Sequence, residues 1–203
     1  MLDTILRSHP LIDVLEEKPI VDKFVELLNI KIKSDFKNLK DHKIDKEMRD
    51  FYFREKSNYS SKKNCKIVID KMPLNTVYVG EIVRFFPNAK FIFAIRHPSD
   101  CVLSCFMQNF LLNNAMTNFL NLEDSAKLYN QVMILWELYN NKLKINFHMI
   151  RYEDLIENFE TEVKKLLNYL GVDWSNKVTE FYKTSKKRGM LNTPSYNPVS
   201  YTH

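Results

Sequence analysis

Glycine is nearly missing from this sequence. Three occur in 203 residues, Gly80, Gly171 and Gly189, and none precedes position 80. A phosphate-cradling loop needs backbone that can approach its ligand closely and aim successive N–H groups at it, so the first third of the chain holds no glycine-rich loop of that kind. Cysteine is scarce too. Cys65, Cys101 and Cys105 make an odd set without a framework, which argues against a disulfide-stapled secreted domain and for a reducing, cytoplasmic setting. Cys101 and Cys105 share a helical face, but no second pair completes a metal site and no HExxH occurs, so no metal is expected. Walker A loops, GxSxG elbows and internal repeats are also missing. No apolar run approaches the ~20 residues of a membrane helix, and the first residues lack a signal-peptide pattern. The net charge of +5, from 30 basic and 25 acidic residues, favours anionic ligands but falls short of a nucleic-acid signature.

What is present is ordinary for a globular protein: 45% hydrophobic and 27% charged residues. The length suits one domain, residues 1–203, with a real core. The most informative stretch begins at Lys90. Phe91–Ile95 is an apolar run too short for a helix and follows a Pro87-Asn88 turn, which reads as a strand buried on both faces of a parallel sheet. Arg96 follows, then Pro98 at a position suited to the first turn of a helix, then Val102, Leu103, Phe106 and Phe110 at helical spacing. Arg96 is therefore expected at the carboxyl end of a strand beside a helix N-terminus, where α/β sheets bind anions. Ser104 lies about two turns into that helix and could add a hydroxyl.

The rest reads in the same alternating style. Residues 2–8 form a short helix ending at His9-Pro10, and Ile20–Ile32 an amphipathic one. A further helix spans about Asp45–Lys56. KIVID at 66–70 is a second buried strand, delivering Lys71 to its end, and Val77–Phe86 is the crossover helix of a βαβ unit. Asn121 caps a helix that runs to about Leu143, with Asp124 as a weaker form of capping box. Ile145–Ile150 is a third strand, delivering Arg151-Tyr152; His148 within it reads as a packed core residue. Phe159–Leu170 is a clear amphipathic helix closed by Gly171.

DKMPLN at 70–75, FPNAKFIFAIRHPSDCVLSCFMQNF at 86–110 and RYEDL at 151–155 resemble the sulfotransferase superfamily, nearest to the bacterial branch related to tyrosylprotein sulfotransferases and often fused to tetratricopeptide repeats. The resemblance implies a three-layer α/β sandwich of P-loop-NTPase type with a mostly parallel central sheet. It also implies transfer of a sulfuryl group from 3′-phosphoadenosine 5′-phosphosulfate to a hydroxyl or amine acceptor, without a metal. Arg96 and Ser104 match the family's 3′-phosphate ligands, and Tyr152 the tyrosine bordering the nucleotide. Lys71 matches the lysine near the departing phosphate. Glu17 matches the general base by its distance from His9-Pro10 and by its Glu-x-Pro pattern, with Glu16 as the register alternative and Leu15 where the family has glycine. Ser195 falls in a segment resembling the donor-covering loop; Thr193 and Val199 match it too, whereas Pro198 and Ser200 depart. In the family a strand and a loop resembling PRSGTT precede the first helix, and here the sequence starts within that helix. Two functions remain open on these grounds: an active sulfotransferase, or a family remnant that binds adenosine 3′,5′-bisphosphate or a protein partner without turnover. Peptide tyrosine, carbohydrate and small metabolites are all open as acceptors, and no nucleic acid or membrane is expected as partner.

Overall fold

The computed structural model describes residues 1–34 and 42–183. Within them the chain runs α1 (Leu2–Ser8), β1 (Ile12–Glu16), α2 (Ile20–Ser34), α3 (His42–Tyr59), β2 (Ile67–Lys71), α4 (Val79–Phe85), β3 (Phe91–Ile95), α5 (Pro98–Met107), α6 (Leu122–Leu143), β4 (Phe147–Arg151), α7 (Tyr152–Glu157) and α8 (Phe159–Leu170), with short 3₁₀ turns between some of them. The strands pair in parallel, β1 with β2 and β3 with β4.

Side-chain alternation along the strands makes three layers. Ile12 and Val14 of β1, Ile67 and Ile69 of β2, Ile92 of β3 and Ile150 of β4 all pack into one core with Ile5 and Leu6 of α1 and Val163, Leu166 and Leu167 of α8. The opposite side is covered in two parts. Phe24, Met48 and Phe85 join α2, α3 and α4 in one core. Val79 and Trp136 of α4 and α6 pack on Phe91, Phe93 and Phe147 in the other, with the Trp136 ring stacked 3.9 Å from Phe93. This is the expected three-layer α/β arrangement.

Two expectations need correction. Hydrogen bonding among the described strands divides them into two pairs, and β2 and β3 do not bond one another. For that reason β3 is not buried on both faces: its residues are half-buried and Ala94 is exposed. A strand bonded on one edge only leaves its other edge uncovered. The second correction is β1 itself, Ile12–Glu16, a strand absent from the three expected on sequence.

Local signals end the helices where chemistry requires. The Asp124 N–H donates to Asn121 Oδ1 at 2.8 Å, and Asn121 Nδ2 donates back to Asp124 Oδ2 at 2.6 Å, a reciprocal cap. Gly171 takes φ +81°, and the N–H groups of Gly171 and Val172 both reach the Leu167 carbonyl, the paired bonding that closes a helix on a left-handed residue.

Asp13 explains how β1 is held. It is fully buried in mid-strand and accepts from Ser60 Oγ at 2.9 Å, Ser61 N–H at 2.9 Å, Ser61 Oγ at 3.0 Å and Lys62 N–H at 3.3 Å. Lys62 then drives its ammonium under β1, donating to the carbonyls of Arg7, His9 and Ile12. Burial opposes ionisation of Asp13, but the bonds from Ser61, Lys62 and Ser60 outweigh it and lower its pKa. A lowered folded pKa contributes stability above the unfolded value near 3.9, and that stability is lost as pH falls through the folded pKa. We expect Asp13→Ala to destabilise the protein by about 3 kcal/mol at pH 7, since several buried donors lose their acceptor. The gap from wild type in urea midpoint should shrink below about pH 4; an undiminished gap there would show that packing, not charge, carries the effect.

Candidate active site

Four of the candidate residues read from sequence fall in two clusters, one at the end of each strand pair: Glu17 with Lys71, and Arg96 with Tyr152. At the end of β1 and β2, Lys71 Nζ donates to Glu17 Oε1 at 2.7 Å and lies 3.5 Å from Glu16 Oε1. Arg7 of α1 meets Glu16 Oε2 at 3.4 Å. Glu16 is the more enclosed carboxylate, its side chain 8% exposed against 21% for Glu17. Glu17 also carries the local strain. Its φ is +51°, a left-handed conformation that costs a side chain about 1–2 kcal/mol, and it is pinned there because its N–H donates to the Lys71 carbonyl at 2.6 Å. The chain thus turns out of β1 at Glu17 itself and not at Leu15, and the turn points the Glu17 carboxylate across to the end of β2. Strain of this kind gathers at functional sites.

The second cluster stands at the end of β3 and β4. Ile95 and Arg151 are register partners, so the residues after them, Arg96 and Tyr152, emerge side by side. The Arg96 guanidinium lies over the Tyr152 ring, 5.2 Å from its centroid. Its ion pair to Asp100 at 3.5 Å is long and exposed, and such pairs hold little energy. Pro98 occupies the first turn of α5 as expected. The preceding His97 N–H donates to Glu153 Oε1 at 2.8 Å, which ties the start of α5 to α7. Ser104 lies on α5, half-buried, on the same face as Cys101 and Cys105. Ser195 lies outside the described residues.

Asp70 is a feature that the sequence reading passed over. Its side chain is on the α2–α3 side of β2, where Tyr52 Oη donates to Asp70 Oδ2 at 3.2 Å and Oδ1 is buried without a hydrogen-bond partner among the described residues. Burial pushes the Asp70 pKa up to about 6, with Asp22 adding to the effect against the Tyr52 bond; burial and Asp70 in turn push Tyr52 above its ordinary value. The signal in the sequence was a carboxylate at the end of an otherwise apolar run. A raised carboxyl pKa means that ionisation weakens the fold as pH rises from about 4 to about 6, the cost being complete above that. Asp70→Asn is therefore expected to stabilise by about 1–3 kcal/mol at pH 7.5 and by nothing below about pH 4. Denaturant midpoints at the two pH values check this.

The sequence profile of the sulfotransferase family matches residues 1–176. The chain belongs to that family. An uncharacterized protein of Aquifex aeolicus (strain VF5) is similar over 196 residues at 26% identity, taking in 92% of this chain and 26% of the relative. This sulfotransferase chain thus spans about a quarter of that relative's length. Among solved structures, the sulfotransferase domain from the curacin biosynthetic pathway shares the fold with a TM-score of 0.55, at 18% identity, over 89% of this chain and 72% of that one. Among the described residues, no helix is long and apolar enough to cross a membrane and no group of three or more potential metal ligands occurs.

Proposed function

We propose that this chain transfers a sulfuryl group from 3′-phosphoadenosine 5′-phosphosulfate to a hydroxyl or amine acceptor, with Arg96, Ser104, Tyr152 and Ser195 serving the nucleotide and Glu17 and Lys71 the reaction. The observation that carries this reading is Arg96 held against Tyr152 at the paired ends of β3 and β4, beside the start of α5. The residues fit the donor's nucleotide end. A guanidinium whose ion pair among the described residues is long and exposed keeps forked donors for a phosphate, and an aromatic ring beside it offers a face for a nucleoside.

The donor supplies an activated sulfuryl group. Glu17 would hold the acceptor and take the proton from its hydroxyl or amine. Lys71 stabilises negative charge gathering at the departing phosphate. The 2.7 Å ion pair between them suits both tasks: it aims the Glu17 carboxylate at the end of β2, and it fixes Lys71 at the strand end. No metal is called on. We place the enzyme in the cytoplasm on its unpaired cysteines, with peptide tyrosine, carbohydrate and small molecules as candidate acceptor classes.

The second reading, a remnant that binds the bisphosphate without turnover, draws on the unbonded edges of β2 and β3. The phosphosulfate end needs convergent backbone N–H groups, and no glycine before position 80 is there to build a loop of that kind. Two measurements separate the readings: calorimetric titration with adenosine 3′,5′-bisphosphate, and transfer of labelled sulfate to a panel of hydroxyl and amine acceptors. Binding with transfer supports the enzyme, and binding without transfer supports the remnant. Failure to bind removes both.

A further inference from the structure

The turn that presents Arg96 is short, and β4 and α7 grip it on both sides. Before Arg96, Ile95 ends β3 in register with Arg151 of β4. After it, His97 precedes a proline, which restricts it to extended backbone; its φ is −49° and its ψ 128°. Pro98 brings no N–H of its own. The His97 N–H is taken by Glu153 Oε1 at 2.8 Å, while the His97 carbonyl receives the Cys101 N–H at 3.0 Å and so opens α5. Glu153 stands in the first turn of α7, which starts at Tyr152, directly after the last residue of β4. Leu155 anchors that short helix in the core shared with α8. Two consecutive residues of α7 therefore act on two consecutive residues of the turn. Tyr152 meets Arg96, ring to guanidinium, and Glu153 meets His97, carboxylate to backbone.

We propose that Glu153 is the positioning residue for Arg96: by holding the His97 N–H it fixes the β3–α5 turn so that the guanidinium meets a 3′-phosphate, and it thereby sets the preference for nucleotides that carry one. The assignment rests on the donor-site reading above. Glu153 touches no ligand and acts through Arg96, whose long side chain has less freedom to lose on binding when its base is pinned and its plane lies against a ring. The bond is of the strong kind. The His97 N–H, the N–H of Glu153 itself and the charge of Arg151 outweigh burial and hold the Glu153 carboxyl below its ordinary value, so the acceptor is ionised and the bond charge-assisted. Fold stability alone does not account for the arrangement. Glu153 Oε2 is buried with no hydrogen-bond partner among the described residues, and an unmatched buried acceptor costs free energy. Reach matters here more than charge. A side chain one methylene shorter falls short of the His97 N–H, whereas an amide of the same length still offers it an oxygen.

The test titrates two nucleotides that differ in a single group, adenosine 3′,5′-bisphosphate and adenosine 5′-monophosphate, with urea midpoints measured alongside. The proteins are wild type, Glu153→Ala, Glu153→Asp, Glu153→Gln and, as a control, Asp154→Ala. Wild type is expected to favour the bisphosphate. Glu153→Ala and Glu153→Asp should lose about tenfold or more of that preference, the scale of one charge-assisted hydrogen bond. The loss should fall on the bisphosphate and leave the monophosphate within a few-fold. Glu153→Gln should keep most of the preference. Asp154 makes a 3.7 Å, exposed pair with Arg151, and its replacement should change neither nucleotide. A preference that stays intact in Glu153→Ala overturns the assignment. So does equal weakening of both nucleotides, which marks a merely structural role. Loss in Glu153→Gln with retention in Glu153→Asp overturns it too, because charge and not the turn would then decide. If wild type binds the two nucleotides alike, the donor-site reading fails and this assignment with it, a result distinct from failure in the variants alone.

Discussion

Arg96→Ala abolishes calorimetrically detectable binding of adenosine 3′,5′-bisphosphate and leaves the thermal transition of the protein in place. The second half of this expected result follows from the position of the residue. Arg96 is exposed, and its contacts among the described residues, a 3.5 Å ion pair and one ring face, do not hold an element in place. The first half follows from what the phosphate would lose. Removing one partner of a desolvated, hydrogen-bonded charge pair costs about 2–5 kcal/mol, much of it from leaving the other charge unmatched. Arg96→Lys should recover little, because an ammonium lacks the planar fork that engages two phosphate oxygens and stacks less well on Tyr152. Tyr152→Phe keeps the ring and should bind within a few-fold of wild type. Wild-type affinity in Arg96→Ala would remove the nucleotide from this end of the sheet.

Glu17→Gln lowers sulfate transfer by about 10²–10⁴-fold, the usual loss when a positioned base goes. The substitution preserves shape and tolerates φ +51° as well as glutamate does, so the loss reports on proton abstraction. Lys71→Ala should lose about 10²–10³-fold, the scale for removing one group that stabilises developing charge. Because Lys71 also holds the Glu17 carboxylate at 2.7 Å, the two losses should not add: the double variant should fall little below the worse single one. Glu16→Gln decides the register. Glu16 is enclosed and paired with Arg7, so its loss should lower the urea midpoint and leave the rate per folded molecule within a few-fold. Full activity in Glu17→Gln together with a collapse in Glu16→Gln would transfer the base to Glu16.

How much of this was legible beforehand depended on how local the causes are. The three apolar runs that became β2, β3 and β4 were readable because short runs beside turns have few alternatives. Their polar successors, Lys71, Arg96 and Tyr152, stood out as candidates because strand ends are where polar groups reappear. Asn121 and Gly171 were readable as caps because their partners lie within a turn. β1 was not. Its sequence IDVLE has an aspartate at its second position, which reads as solvated; only Ser60, Ser61 and Lys62, some fifty residues away, make burial of Asp13 acceptable. The pairing of Glu17 with Lys71 came through family resemblance, since no spacing rule joins residues 54 apart.

The divided sheet can be expressed as a pattern of amide exchange. Backbone N–H groups that β2 sends to β1, and β3 to β4, are locked in ladders and exchange only when those ladders open. Those that β2 and β3 send the other way meet no strand among the described residues, and they should exchange orders of magnitude faster although they belong to the same short strands. Alternate residues of Ile67–Lys71 and Phe91–Ile95 would then differ sharply in deuterium uptake. Any extended segment that docks along those edges, from the same polypeptide or another, would erase the alternation residue by residue, so the sheet carries its own reporter of completion.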